Sequence, residues 1–108
     1  MTAQTQEIVE RITAAAKELA DAREAEQELE DNRINVKLRA IEKIMRSGDN
    51  SLTGKPHSFS SAEAAVGTDA EYQDYLAQQR AATRRTILAR GDYEAARAVA
   101  VLTARADA

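Results

Sequence analysis

An all-α fold is predicted by three observations. Residues 7–46 and 69–105 are dominated by Ala, Glu, Arg, Lys and Leu, which favour helix. Apolar residues recur in both stretches at steps of three and four. Between them lies GDNSLTGKPHSFSS, which holds the only Pro, the only His and the only Phe. The layout predicts one domain over residues 1–108. It is a long antiparallel helical hairpin with a short helix in the connection at 48–67, and it assembles into a helical bundle.

The first helix is expected over residues 7–46, because no Gly or Pro interrupts residues 1–47. Ile8, Ile12, Ala15, Leu19 and Ala22 form one stripe. Strict heptads would continue through Glu26, Leu29, Arg33 and Val36. The larger apolar residues instead drift towards Ile34, Ile41 and Met45. That drift favours a straight helix of a bundle over a regular coiled-coil seam. Asn32 and Asn35 read as two exposed residues on a continuous helix, with a bend or a register-fixing polar layer as alternatives. Gly48 is expected to stop the helix in a left-handed cap.

The connection carries its own punctuation. Thr53-Gly54 reads as a turn, and Pro56 drives Lys55 out of helical geometry. Ser60 and Glu63 form a capping box for a short helix over 62–66, ended by Gly67. Thr68 and Glu71 form a second box that opens the long second helix. Two such boxes argue for an ordered connection. Leu52, Phe59 and Val66 are expected to plug the closed end of the hairpin. If Phe59 is exposed, it reads as a partner-binding knob.

In the second helix, Tyr72, Leu76, Thr83 and Ile87 suggest one stripe, continued with rotation by Leu88, Ala95, Val99 and Leu102. Tyr75 and Tyr93 lie at its edges. Gly91 interrupts the pattern, and the expected outcome is an unbroken or gently bent helix. The core is expected to be Ile12, Leu19, Leu29, Ile41, Leu76, Ile87, Val99 and Leu102. Charge comes in blocks: residues 18–31 are acidic and 33–46 basic, while 69–74 are acidic and 80–90 basic. Antiparallel pairing sets opposite blocks side by side, and parallel pairing sets like blocks together.

About half of the 44% hydrophobic content is Ala. Two helices with so few large apolar side chains should be marginal alone, so a homo-oligomer is expected, a dimer first. The net charge of -3 creates no strong overall field. The chain has no Cys, so disulfides and Cys-based zinc sites are excluded. No apolar run reaches the 18 or so residues of a membrane span. Residues 1–6 lack the basic start and apolar centre of a signal peptide. A cytoplasmic location is expected.

No reaction centre is evident. LTGKPHS is not a phosphate loop: five residues separate Gly48 and Gly54, and Pro56 follows Lys55. Lys55 and His57 could meet an anion or a partner carboxylate, but an ordered surface turn explains them more simply. His57 lacks a defined acid partner for general acid–base work. No catalytic residue, metal ligand or cofactor is therefore assigned. Phe59, Lys55 and His57 are the candidate protein-contact residues. Arg33, Lys37, Lys43, Arg80 and Arg84 are the candidate nucleic-acid contacts, because phosphates favour such clusters. Nearby acidic blocks and scarce aromatic platforms weigh against that use.

The linker DNSLTGKPHSFSSAEAAV, followed by DAEYQDYL and GDYEAARAVAVL, resembles small helical proteins encoded by bacteriophages and prophages. The likeness covers about residues 48–102, with Gly54–Ser58 and Ser61–Glu63 carrying most of it. Some such proteins accompany single-strand annealing recombinases. The resemblance implies a phage accessory role in DNA metabolism or assembly through a protein partner, in the host cytoplasm. It carries no catalytic residues. The expected function is a non-enzymatic helical interaction or assembly protein, with a DNA- or RNA-binding accessory as the alternative.

Overall fold

The computed structural model describes residues 2–48, 50 and 54–107. The fold is all-α, a helical hairpin with a short helix in its connection. The elements are α1 (Ala3–Asp31), α2 (Arg33–Ser47), α3 (Phe59–Ala64), a 3-10 turn (Val66–Thr68) and α4 (Ala70–Asp107). The chain divides into two compact units. One comprises Met1–Gln27 with Ala81–Ala108, and the other is Glu28–Arg80.

In the first unit, α1 runs antiparallel to α4. Leu19 and Ala22 pack with Ala89, and Tyr93 leans on the same cluster. The buried and half-buried positions of α1 include the expected stripe Ile8, Ile12, Ala15, Leu19 and Ala22, with Glu26, at alternating steps of four and three; Ala16, Asp21, Ala25 and Leu29 are half-buried beside it. Those of α4 are Ala82, Thr86, Ala89, Tyr93, Ala96, Ala100 and Thr103, with the same alternation. This is a seven-residue repeat. The regular seam that the drift of larger side chains argued against is therefore the one α1 uses. Thr86 is buried in it, and its hydroxyl is satisfied by donating to the Ala82 carbonyl at 3.1 Å.

Three expected core residues of α4 are consequently outside. Ile87 is 62% exposed, Leu102 is 64% exposed, and Val99 is also exposed. Thr83, Leu88 and Ala95 from the proposed stripes are exposed with them. Leu19 and Ile41 are buried as expected, and Ile12, Leu29 and Leu76 are half-buried. The expected stripes followed side-chain size, whereas the helix follows its repeat of Ala and Thr. α4 passes unbroken through Gly91, as expected.

In the second unit, Ala40 and Ile41 of α2 pack with Ala62 and Val66, and Ile44 and Tyr72 join them. The first helix bends at Asn32, where α1 gives way to α2, so of the readings for the Asn pair the bend is realised, with both Asn exposed as the simplest reading had them. The Leu29 carbonyl accepts from the Asn32 amide at 3.2 Å and from the Tyr75 hydroxyl at 2.8 Å. A side chain inserted at a helix carbonyl is a recognised cause of a break. Asn32 and Asn35 are both exposed, with their side chains 3.4 Å apart. Ile34 and Met45, the apparent continuation of the stripe, are exposed.

Helix ends also differ from the expected ones. Gly48 follows α2 with φ 150° and ψ -173°, a conformation essentially reserved for Gly, rather than the left-handed helical cap. α3 starts at Phe59 because Ser58, not Ser60, takes the Ser61 amide at 3.1 Å. Gly67 lies within the 3-10 turn and does not terminate the short helix. At the start of α4 the carboxylate of Asp69 accepts from the Tyr72 amide at 2.9 Å. Thr68 donates instead to the Ala65 carbonyl. Asp69 outcompetes the expected Thr68 cap because its charged oxygens also engage Lys43, 3.0 Å away. Ordered backbone bonds in the connection include Asn50 N–H to the Lys55 carbonyl at 2.7 Å. Gly54 holds a left-handed φ of 68°, while Thr53 and Leu52 lie outside the described residues.

Candidate interaction surfaces

The predicted basic patch of α2 is built, but in partnership with acids. Arg39 lies 3.0 Å from Glu71, and Lys43 lies 3.0 Å from Asp69 and 3.3 Å from Glu71. Lys37 faces Glu63 at 3.7 Å, Arg33 faces Glu30 at 3.6 Å, and Arg46 pairs with Glu42. The opposite-block pairing expected of an antiparallel arrangement is thus realised in this unit. In the other unit, Arg85 meets Glu18 at 2.6 Å. The Asp69 carboxyl is held below its usual range, first by the Lys43 hydrogen bond and then by the Tyr72 amide. Lys43 is correspondingly raised, chiefly by Asp69.

Of the five candidate nucleic-acid contacts, Arg33, Lys37 and Lys43 therefore already face carboxylates. Arg80 and Arg84 are exposed on α4, and among the described residues neither has a carboxylate within ion-pair distance. As the nearby acidic blocks suggested, carboxylates from other elements engage the α2 part of the basic surface.

The three connection candidates have different surroundings. His57 is half-buried, its Nδ1 3.0 Å from the Ser61 hydroxyl. That hydroxyl donates to the Ser58 carbonyl at 3.1 Å, so it serves the turn. Lys55 is exposed, and its carbonyl closes the turn with Asn50. Phe59 is 53% exposed and does not plug the hairpin end. Val66 fills that core as expected, together with Ala62. Exposure is the condition under which Phe59 reads as a contact residue rather than a core residue.

A second apolar surface was not expected. Ile87, Leu88, Val99, Val101 and Leu102 are exposed along α4, while Ile34, Leu38 and Met45 are exposed on α2. The signal that could have revealed the α4 surface is the exact seven-residue spacing of Tyr75, Ala82, Ala89, Ala96 and Thr103. Once that row is placed inward, Ile87, Leu88 and Leu102 must point outward.

Among the described residues, no three His, Cys, Asp or Glu side chains gather as a metal-binding group. No described helix is long and apolar enough to cross a membrane. No family model, curated protein or solved structure matches the chain.

Proposed function

We propose that the chain is a non-enzymatic helical interaction or assembly protein, a homo-oligomer with the dimer as its first state. Its biological setting is that of a phage accessory factor working through a protein partner in the host cytoplasm. The observation that carries this reading is the set of large apolar side chains left outside an Ala-rich seam, above all Ile87, Leu88 and Leu102. Contiguous exposed apolar surface ordinarily marks an interaction site. Phe59, flanked in sequence by His57 and Lys55, supplies a candidate protein-contact knob at the connection. Size-exclusion chromatography with light scattering tests self-association: a particle larger than one chain is expected. A strict monomer throughout the micromolar range would reject it.

A second reading, DNA or RNA binding, draws support from Arg80 and Arg84, which are exposed and, among the described residues, have no carboxylate within ion-pair distance. Fluorescence anisotropy with single- and double-stranded DNA and RNA discriminates it. Binding at low salt that falls steeply with added salt is expected of such an interface. No binding at low salt would remove this reading.

A further inference from the structure

We infer that the outward face of α4 pairs antiparallel with the same face of a second copy, an inference that rests on the self-association proposed above. Leu88, Gly91, Ala95, Ala98 and Leu102 recur at steps of three, four, three and four. They form a second strip with the period of the inner seam, on the opposite side of the helix. Ile87, Val99 and Val101 border it. The large members are 62% (Ile87), 62% (Leu88), 38% (Val99), 48% (Val101) and 64% (Leu102) exposed. Together they leave on the order of 500 Å² of apolar surface in water, at the size of patch that marks interaction sites. Two copies reach about 1,000 Å², the lower bound for a specific interface. That area suits a reversible dimer rather than an obligate one.

Self-complementarity favours a second copy as the occupant. Gly91 lies in the middle of the strip, in a helix interior where Gly is a poor helix former. A side chain there would meet nothing within 4 Å, so no packing inside the chain requires the Gly. In an antiparallel pair, Leu102 of the second copy enters the gap over Gly91, and Ala95 faces Ala98. The two-fold axis repeats both contacts, as an isologous interface demands.

Charge selects the orientation. A parallel, in-register pair would set Arg84 on Arg84, Glu94 on Glu94 and Arg105 on Arg105. The antiparallel register separates each of these like-charged pairs. Arg105 then lies beside Leu88, where its alkyl stem can cover apolar surface.

Gly91→Gln is the decisive variant, because it fills open space with a better helix former and spares the fold. Sedimentation equilibrium should show the wild type as a reversible dimer and Gly91→Gln with a dissociation constant raised at least tenfold. Its thermal melt, taken where both proteins are monomeric, should not fall. Leu88→Glu with Leu102→Glu should weaken the dimer likewise. Since the chain has no Cys, Arg84→Cys mixed with Ala106→Cys should cross-link faster than Arg84→Cys alone. A dimer untouched by Gly91→Gln and by the double Glu variant would overturn this face while leaving self-association standing. A dimer that cross-links fastest through Arg84→Cys alone would overturn the orientation. A wild-type monomer at every concentration would overturn both this inference and the self-association beneath it.

Discussion

Asp69 shows how much one side chain can carry. Its carboxylate caps α4 through the Tyr72 amide and holds Lys43 of α2 at 3.0 Å. Replacing it by Ala should cost about 1–2 kcal/mol at neutral pH, the range for a lost helix cap, read from urea denaturation. The folded pKa is lowered, so the stabilisation is present above the unfolded value of 3.8 and fades as pH falls through the folded one. The wild type and Asp69→Ala should therefore converge in stability under strong acid. Lys43 has the opposite sign: its raised pKa adds stability below 10.5, lost as pH rises through the folded value. Tyr75 is a second single-residue control. Its buried hydroxyl, whose pKa burial pushes up, donates to Leu29 at the interruption between α1 and α2. Tyr75→Phe should lose about 1 kcal/mol, measured by denaturant midpoint at unchanged slope.

At the scale of the element, α4 separates two adjacent residues that composition alone would treat alike. Ala89 is buried against Leu19 and Ala22, while Leu88 is exposed. Ala89→Leu should overpack the seam and destabilise the monomer by about 1–3 kcal/mol. Leu88→Ala should change monomer stability little. A drop for both, or for Leu88→Ala alone, in thermal melts at low concentration would reverse the assigned face. Gly91→Ala should stabilise α4 by about 1 kcal/mol, since open space surrounds the added methyl. Much of this was legible in residue types: long helices, a short helix in the connection and an α4 continuous through Gly91. So was the α1 side of the seam, from Ile8 to Ala22; the α4 side was not, because Ala and Thr are weak hydrophobic signals beside Leu and Ile. Their regular spacing was a better guide than their size. Caps were ambiguous for a related reason, since Ser58, Ser60, Thr68 and Asp69 all offer suitable oxygens.

For the whole molecule, self-association links stability to concentration. A chain that binds its own copy only when folded gains stability by mass action. Its melting temperature should rise as concentration rises through the dissociation constant, measured by circular dichroism or calorimetry. A flat melting temperature while the dimer population changes would separate association from folding. Sequence by itself determined the all-α class, the hairpin with a helical connection and the opposite-charge pairing of antiparallel elements. Those follow from local propensity and from the order of charge along the chain. Only tertiary structure decided which face of α4 is covered, that the first helix bends at Asn32, and which oxygens cap α3 and α4. Each depends on which side chain wins a shared space or hydrogen-bond donor, and that competition is settled between elements distant in sequence.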